Sequence, residues 1–164
     1  SVMASILKVN TIQDATNSTT AMTVDTAGRV LTPARPAFNV WYSGSNLVSV
    51  ATIVWNNVEI NVGSHYDSSN GRFTAPVTGI YFFSWFAVSI SDTQFGTRLA
   101  IDGSESSHVY TFSNAASGDN QFESGSGSTM LSLNASQYVT IKVQNGTMLG
   151  ASNYHNNFCG YLLG

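Results

Sequence analysis

The chain has 164 residues, enough for one domain with a substantial core and a short appendage. Apolar residues make up 43% and charged residues only 9%, so Ser, Thr, Asn and Gly must cover the surface, as in β-rich extracellular or virion proteins and in chains that hide surface in an oligomer. The net charge of −3 and the six scattered Lys and Arg build no nucleic-acid patch, and no run reaches the roughly 20 apolar residues of a membrane span, so neither a nucleic-acid partner nor membrane insertion is expected.

No signal peptide is recognised at the start, and Met3 is expected to be the natural first residue. Residues 1–36 read as a separate piece: two alternating segments, "ILKVNTIQD" and "AMTVDTAGRVLT", joined by the polar turn "ATNSTT". "PARP" follows as a stiff hinge, because proline restricts itself and its predecessor. So little apolar surface cannot stand alone, which predicts a β stalk or anchor that needs partner chains.

From residue 37 on, sustained helical spacing is absent and short alternating runs are divided by Gly, Asn, Asp and Ser clusters. Strands are predicted at 37–43, 48–55, 71–76, 80–90, 96–103, 107–113, 128–134, 137–145 and 156–164, an all-β antiparallel sandwich. Gly71, Gly79, Gly103 and Gly146 stand in "NG", "TG", "DG" and "NG", where turns use positive φ. In "QYVTIKV", Tyr138, Thr140 and Lys142 should face water and Val139, Ile141 and Val143 the core. Residues 80–88 are apolar on both faces. One face, Tyr81/Phe83/Trp85 or Phe82/Phe86, should pack in the core and the other against another subunit. Cys159, the lone cysteine, lies in an apolar run and reads as a buried inert thiol.

Trp55, Asn61, Tyr66, Phe73, Gly79, Tyr81, Phe83 and Trp85 stand at spacings that resemble the signature of the complement C1q globular head, a relative of the tumour necrosis factor fold. The closing "NFCGYLLG" is similar to that family's last strand. Trp55 replaces the favoured Phe, Trp85 a Phe or Tyr, and Cys159 a common Ser; all are close in size. The resemblance covers about residues 37–164. It implies a ten-stranded jelly roll assembled as a tight homotrimer, and binding rather than catalysis. Some members hold calcium near the trimer apex, so calcium is the one cofactor the resemblance leaves open, although no paired carboxylates with calcium-loop spacing occur. Residues 1–36 look instead like the openings of tailed-phage fibre and decoration proteins, a shorter match that implies a virion-surface location and attachment to other virion proteins.

No catalytic or metal motif stands out. His65, His108 and His155 lack metal spacing, the serines lack a nucleophile elbow, and residues 125–128 lack the Lys and helix of a phosphate loop, so a flexible loop is predicted there. Sequons at Asn17, Asn134 and Asn145 mark exposed turns only. Strand alternation puts the long loops at 91–95, 114–127 and 146–155 at the end far from the N-terminal segment. Phe95, Phe122, Tyr154 and His155 there could stack on a host-surface glycan or receptor, or simply pin the loops to the body. The functional expectation is a non-enzymatic phage virion head for host attachment. A capsid decoration protein and a secreted C1q-like binding module are the alternatives. A glycan hydrolase would need two carboxylates facing one cleft.

Overall fold

A computed structural model describes residues 7–90, 94–113, 122–150 and 155–164, with the side chains of 106–108 left aside. The chain forms two compact units that divide between Arg35 and Pro36.

The first unit is a three-stranded antiparallel meander of β1 (Thr11–Gln13), β2 (Thr20–Val24) and β3 (Val30–Leu31). The second predicted segment is thus itself a hairpin. Asp25 folds it: its carboxylate accepts from the Ala27 and Arg29 amides at 2.9 Å and from Arg29 Nε at 2.7 Å. Asp14 closes the β1–β2 turn in the same way, through the Thr16 and Asn17 amides. Leu7, Ile12, Val24, Val30 and Leu31 all stay exposed, and none of the described residues of this unit is buried.

The second unit contains β4 (Ala37–Trp41), β5 (Leu47–Val48), β6 (Asn57–Val62), β7 (Tyr66–Asp67), β8 (Arg72–Thr74), β9 (Gly79–Val88), β10 (Phe95–Ile101), β11 (Ser104–Ser113), β12 (Ser124–Leu133), β13 (Tyr138–Asn145), β14 (Thr147–Met148) and β15 (Asn156–Leu162). Two five-stranded sheets, β12-β9-β15-β4-β6 and β11-β10-β13-β8-β7, make a sandwich, and β14-β5 form a small ribbon. Every named pairing is antiparallel, and no helix occurs among the described residues. The core is one aromatic cluster: Phe38 stacks on Tyr66 and Phe73, and Phe158 meets Phe38, Trp55 and Phe83. Leu162 N donates to Pro36 O at 3.0 Å, so the last strand ends where this unit begins, as alternation predicts.

Four local expectations change. Residues 48–55 are not one strand: Val50 takes φ 63°, and residues 50–53 run irregularly beside β13. The strand at 57–62 escaped notice because it is a sheet edge whose mixed, largely exposed residues do not alternate. Gly71, Gly103 and Gly146 adopt positive φ, but Gly79 does not. It opens β9 in extended form, and a Cβ there would lie 2.9 Å from Leu162 Cδ1 and 3.0 Å from Gly164 O, so close approach of the chain end is what asks for glycine. Finally, the serine–glycine run "SGSGS" at 124–128, expected as a flexible loop from residue 125 on, is a strand. Residues 124–128 pair with β9 as Gly125↔Ala87 and Gly127↔Trp85. A side chain at Gly127 would collide with the Trp85 ring, and one at Gly125 would meet Thr111 and Phe95.

Candidate assembly face and loop end

Strand β9 sorts its aromatics by parity. Tyr81, Phe83, Trp85 and Ala87 are buried in the core, and Trp85 Nε1 donates to Thr97 Oγ1 at 2.7 Å, satisfying the indole. The opposite face carries Ile80, Phe82 and Phe86, with Ile80 and Phe86 exposed in the single chain and Phe82 half-buried. Register extends this face across the sheet. Phe82 lies between Met130 of β12 and Tyr161 of β15, Tyr161 pairs with Ala37 of β4, and Ala37 with Val62 of β6. One row of the sheet is therefore apolar from edge to edge. The Phe82 and Tyr161 rings are 5.5 Å apart, and Met130 is 66% exposed. The next row is smaller and polar: Ser128, Ser84, Cys159 and Asn39, ending in Ile60. Asn157 Nδ2 donates to Asn39 Oδ1 at 2.6 Å, and Asn39 Nδ2 to Glu59 Oε2 at 2.7 Å. A shallow depression of about 300 Å³ lies beside Ser84, Phe86 and Ser126–Ser128. Cys159 is on this face and half-buried; burial raises its thiol pKa, which keeps it in the unreactive form.

The flanks of the three long loops converge at one end. Ser89 N donates to Glu123 O, Ile90 N to Thr147 O and Leu149 N to Val88 O, while Phe95 pairs with Ser113. The four aromatic and imidazole candidates fare differently. Phe95 is fully buried at the start of β10, so it pins the end from inside and cannot stack on a ligand. Phe122 is 67% exposed, His155 is exposed, and Tyr154 lies outside the described residues. The side chain of His108 also falls outside them. Among the described residues, no group of three or more His, Cys, Asp or Glu side chains could hold a metal ion.

Residues 37–163 match the model of the C1q domain family. The chain belongs to that family. Over 112 residues it is 29% identical to complement C1q tumor necrosis factor-related protein 3 of Mus musculus, a match covering 68% of this chain and 44% of that protein. It is 27% identical over 111 residues to Caprin-2 of Danio rerio, covering 68% of this chain and 12% of that one. The chain thus matches less than half the length of these curated relatives. Among solved structures, the globular domain of zebrafish complement 1qA protein superposes with a TM-score of 0.63 at 20% identity, covering 79% of this chain and 98% of that one. Eiger TNF from S. frugiperda gives 0.67 at 10% identity, covering 80% and 94%. Both have the jelly-roll fold of this sandwich. C1q and tumour necrosis factor-like domains are typically trimeric binding modules and generally non-enzymatic.

The C1q domain signature has a physical reading in this chain. Asn61 Nδ2 donates to Tyr66 O at 2.9 Å, and Asn61 Oδ1 accepts from Tyr66 N at 3.1 Å, locking the β6–β7 connection. Tyr66 Oη donates to Trp55 O at 3.0 Å, and its burial raises its pKa strongly. Phe73, Tyr81, Phe83 and Trp85 then close the core over this corner.

Proposed function

We propose that this chain is a non-enzymatic surface protein whose C1q domain assembles as a homotrimer through the outer face of β12-β9-β15-β4-β6. The observation that carries the reading is the apolar row Met130–Phe82–Tyr161–Ala37–Val62, flanked by Ile80 and Phe86. It answers the composition: a 9% charged chain leaves this face uncovered in one copy and needs copies to cover it. Burying one such side chain contributes about 1.5–3 kcal/mol, and three subunits repeat the cluster. Phe82→Glu and Met130→Glu tests the face directly. The double variant should keep the β spectrum and elute as a monomer. An unchanged oligomer would move the interface elsewhere.

Within that reading, residues 1–36 are an anchor to a larger particle and the head is a bacteriophage fibre tip or capsid decoration. Support comes from the exposed apolar residues of the first unit, which await a covering partner, and from its likeness to phage protein openings. A secreted binding module is the second reading, favoured by the animal relatives. Antibody-labelled electron microscopy of intact particles separates them. Label on capsid or tail supports the first, and protein found only free in the medium supports the second.

A further inference from the structure

The other sheet holds a cavity that neither the assembly face nor the loop end uses. Only three Lys or Arg residues occur from Pro36 to Gly164, namely Arg72, Arg98 and Lys142, and all three stand on β11-β10-β13-β8-β7. Arg72 and Lys142 line a cavity of about 190 Å³ together with Thr52, Tyr138, Thr140 and Gly103. Register explains the convergence. β8 pairs with β13 only at Tyr138 and Val139, and the chain at Thr52 then takes its place beside Lys142, leaving a step in the sheet edge.

The groups in this step are underused. Arg72 lies over the Tyr138 ring at 4.2 Å, and among the described residues no carboxylate is within ion-pair distance of it. Its cross-strand neighbour Asp67 spends its hydrogen bonds on Ser69 and Asn70 and meets Arg72 only through a charge interaction beyond ion-pair distance. Lys142 Nζ is only loosely held, 3.8 Å from Glu105 and 3.5 Å from Gly103 O, because Glu105 gives its short 2.7 Å contact to Arg98. Among the described residues, no partner hydrogen-bonds the hydroxyls of Thr52 or Thr140, although Thr140 is nearly buried. Two cations with spare donors suit a carboxylate, and two idle hydroxyls beside them suit the hydroxyls of the same molecule. The volume equals that of about six liquid waters, which limits the occupant to one small unit.

We propose that this cavity binds a carboxylate-bearing monosaccharide unit, the acidic residue of a uronic-acid type glycan. Arg72 and Lys142 receive the carboxylate, and Thr52 and Thr140 bond ring hydroxyls. The site lies within one protomer on the sheet away from the assembly face, so it stands whether or not the chain trimerises. Saturation-transfer NMR on the full chain tests it with sodium glucuronate, glucose and sodium phosphate as probes. Glucuronate should bind at least about tenfold more tightly than glucose, and phosphate should not displace it at equal concentration. Arg72→Gln and Thr140→Val should each weaken glucuronate by about tenfold, with Arg72→Lys restoring part of the loss. Phe82→Glu should leave binding intact, separating this site from assembly. Equal binding of glucose, displacement by phosphate, or full affinity in an Arg72→Gln variant of unchanged melting temperature would each overturn the proposal.

Discussion

Gly160 sits where three groups converge. A Cβ there would come within 2.6 Å of a Phe83 ring carbon, 2.8 Å of Phe38 and 2.8 Å of the Phe82 carbonyl. Gly160→Ala should therefore cost about 1–3 kcal/mol through overpacking, read as a lowered melting temperature. Gly79→Val should be milder than a positive-φ turn would imply, because its crowding falls on the Leu162 side-chain tip and the last residue; a loss as large as that of Gly160→Ala would contradict this ordering. Titration follows the same local logic. Hydrogen bonds from Ser69 and Asn70 lower the Asp67 pKa, and the Tyr138 amide and the Gln137 side chain lower that of Asp102. A depressed folded pKa gives stability that is present above the unfolded value, about 3.9, and lost as pH falls below it. Tyr42, Tyr66 and Tyr81 are raised, chiefly by burial, so their contribution holds below about pH 10 and fades above it. Melting temperature against pH should form a plateau that falls off on both sides, and a curve still rising below pH 4 would refute the turn assignments.

Legibility in the sequence differed from element to element. Strand β9 was readable as a long apolar run, although both of its faces are apolar and the choice of Tyr81, Phe83 and Trp85 for the core came from the fold; β13 was readable because Val139, Ile141 and Val143 alternate with polar residues. Thr140, expected in water, is nearly buried, in the lining of the cavity it shares with Thr52, Arg72 and Tyr138. Serine–glycine alternation in β12 looks like a loop on composition alone. Its meaning depends on Trp85 and Phe95 occupying the space opposite, which is a tertiary fact. The same limit hid the cavity at Arg72, since nothing in the local pattern says that β8 stops where Thr52 arrives. Phe95 misled for the reverse reason: a large ring next to a polar loop reads as exposed until the strand that starts there is known. The first unit gives an element-scale prediction. Its exposed apolar residues and its own separate sheet make it dispensable to the head, so deletion of residues 1–35 should leave a cooperatively melting C1q domain of unchanged oligomeric state. A truncated head that aggregates or becomes monomeric would show that the first unit takes part in assembly.

At the scale of the molecule, two sheets with different chemistry leave different work to their outer faces. One presents the Met130–Phe82–Tyr161 row and a small polar centre at Ser84 and Asn39; the other carries all three cations of the head and the ion pairs of Glu105. The first face is suited to copies of the chain and the second to a polar ligand. Assembly is the claim on which the proposed function turns, and light scattering coupled to size exclusion at micromolar concentration measures it most directly. The full chain should elute as one species of three times its 17.5 kDa mass. A single 17.5 kDa species at that concentration would contradict the account.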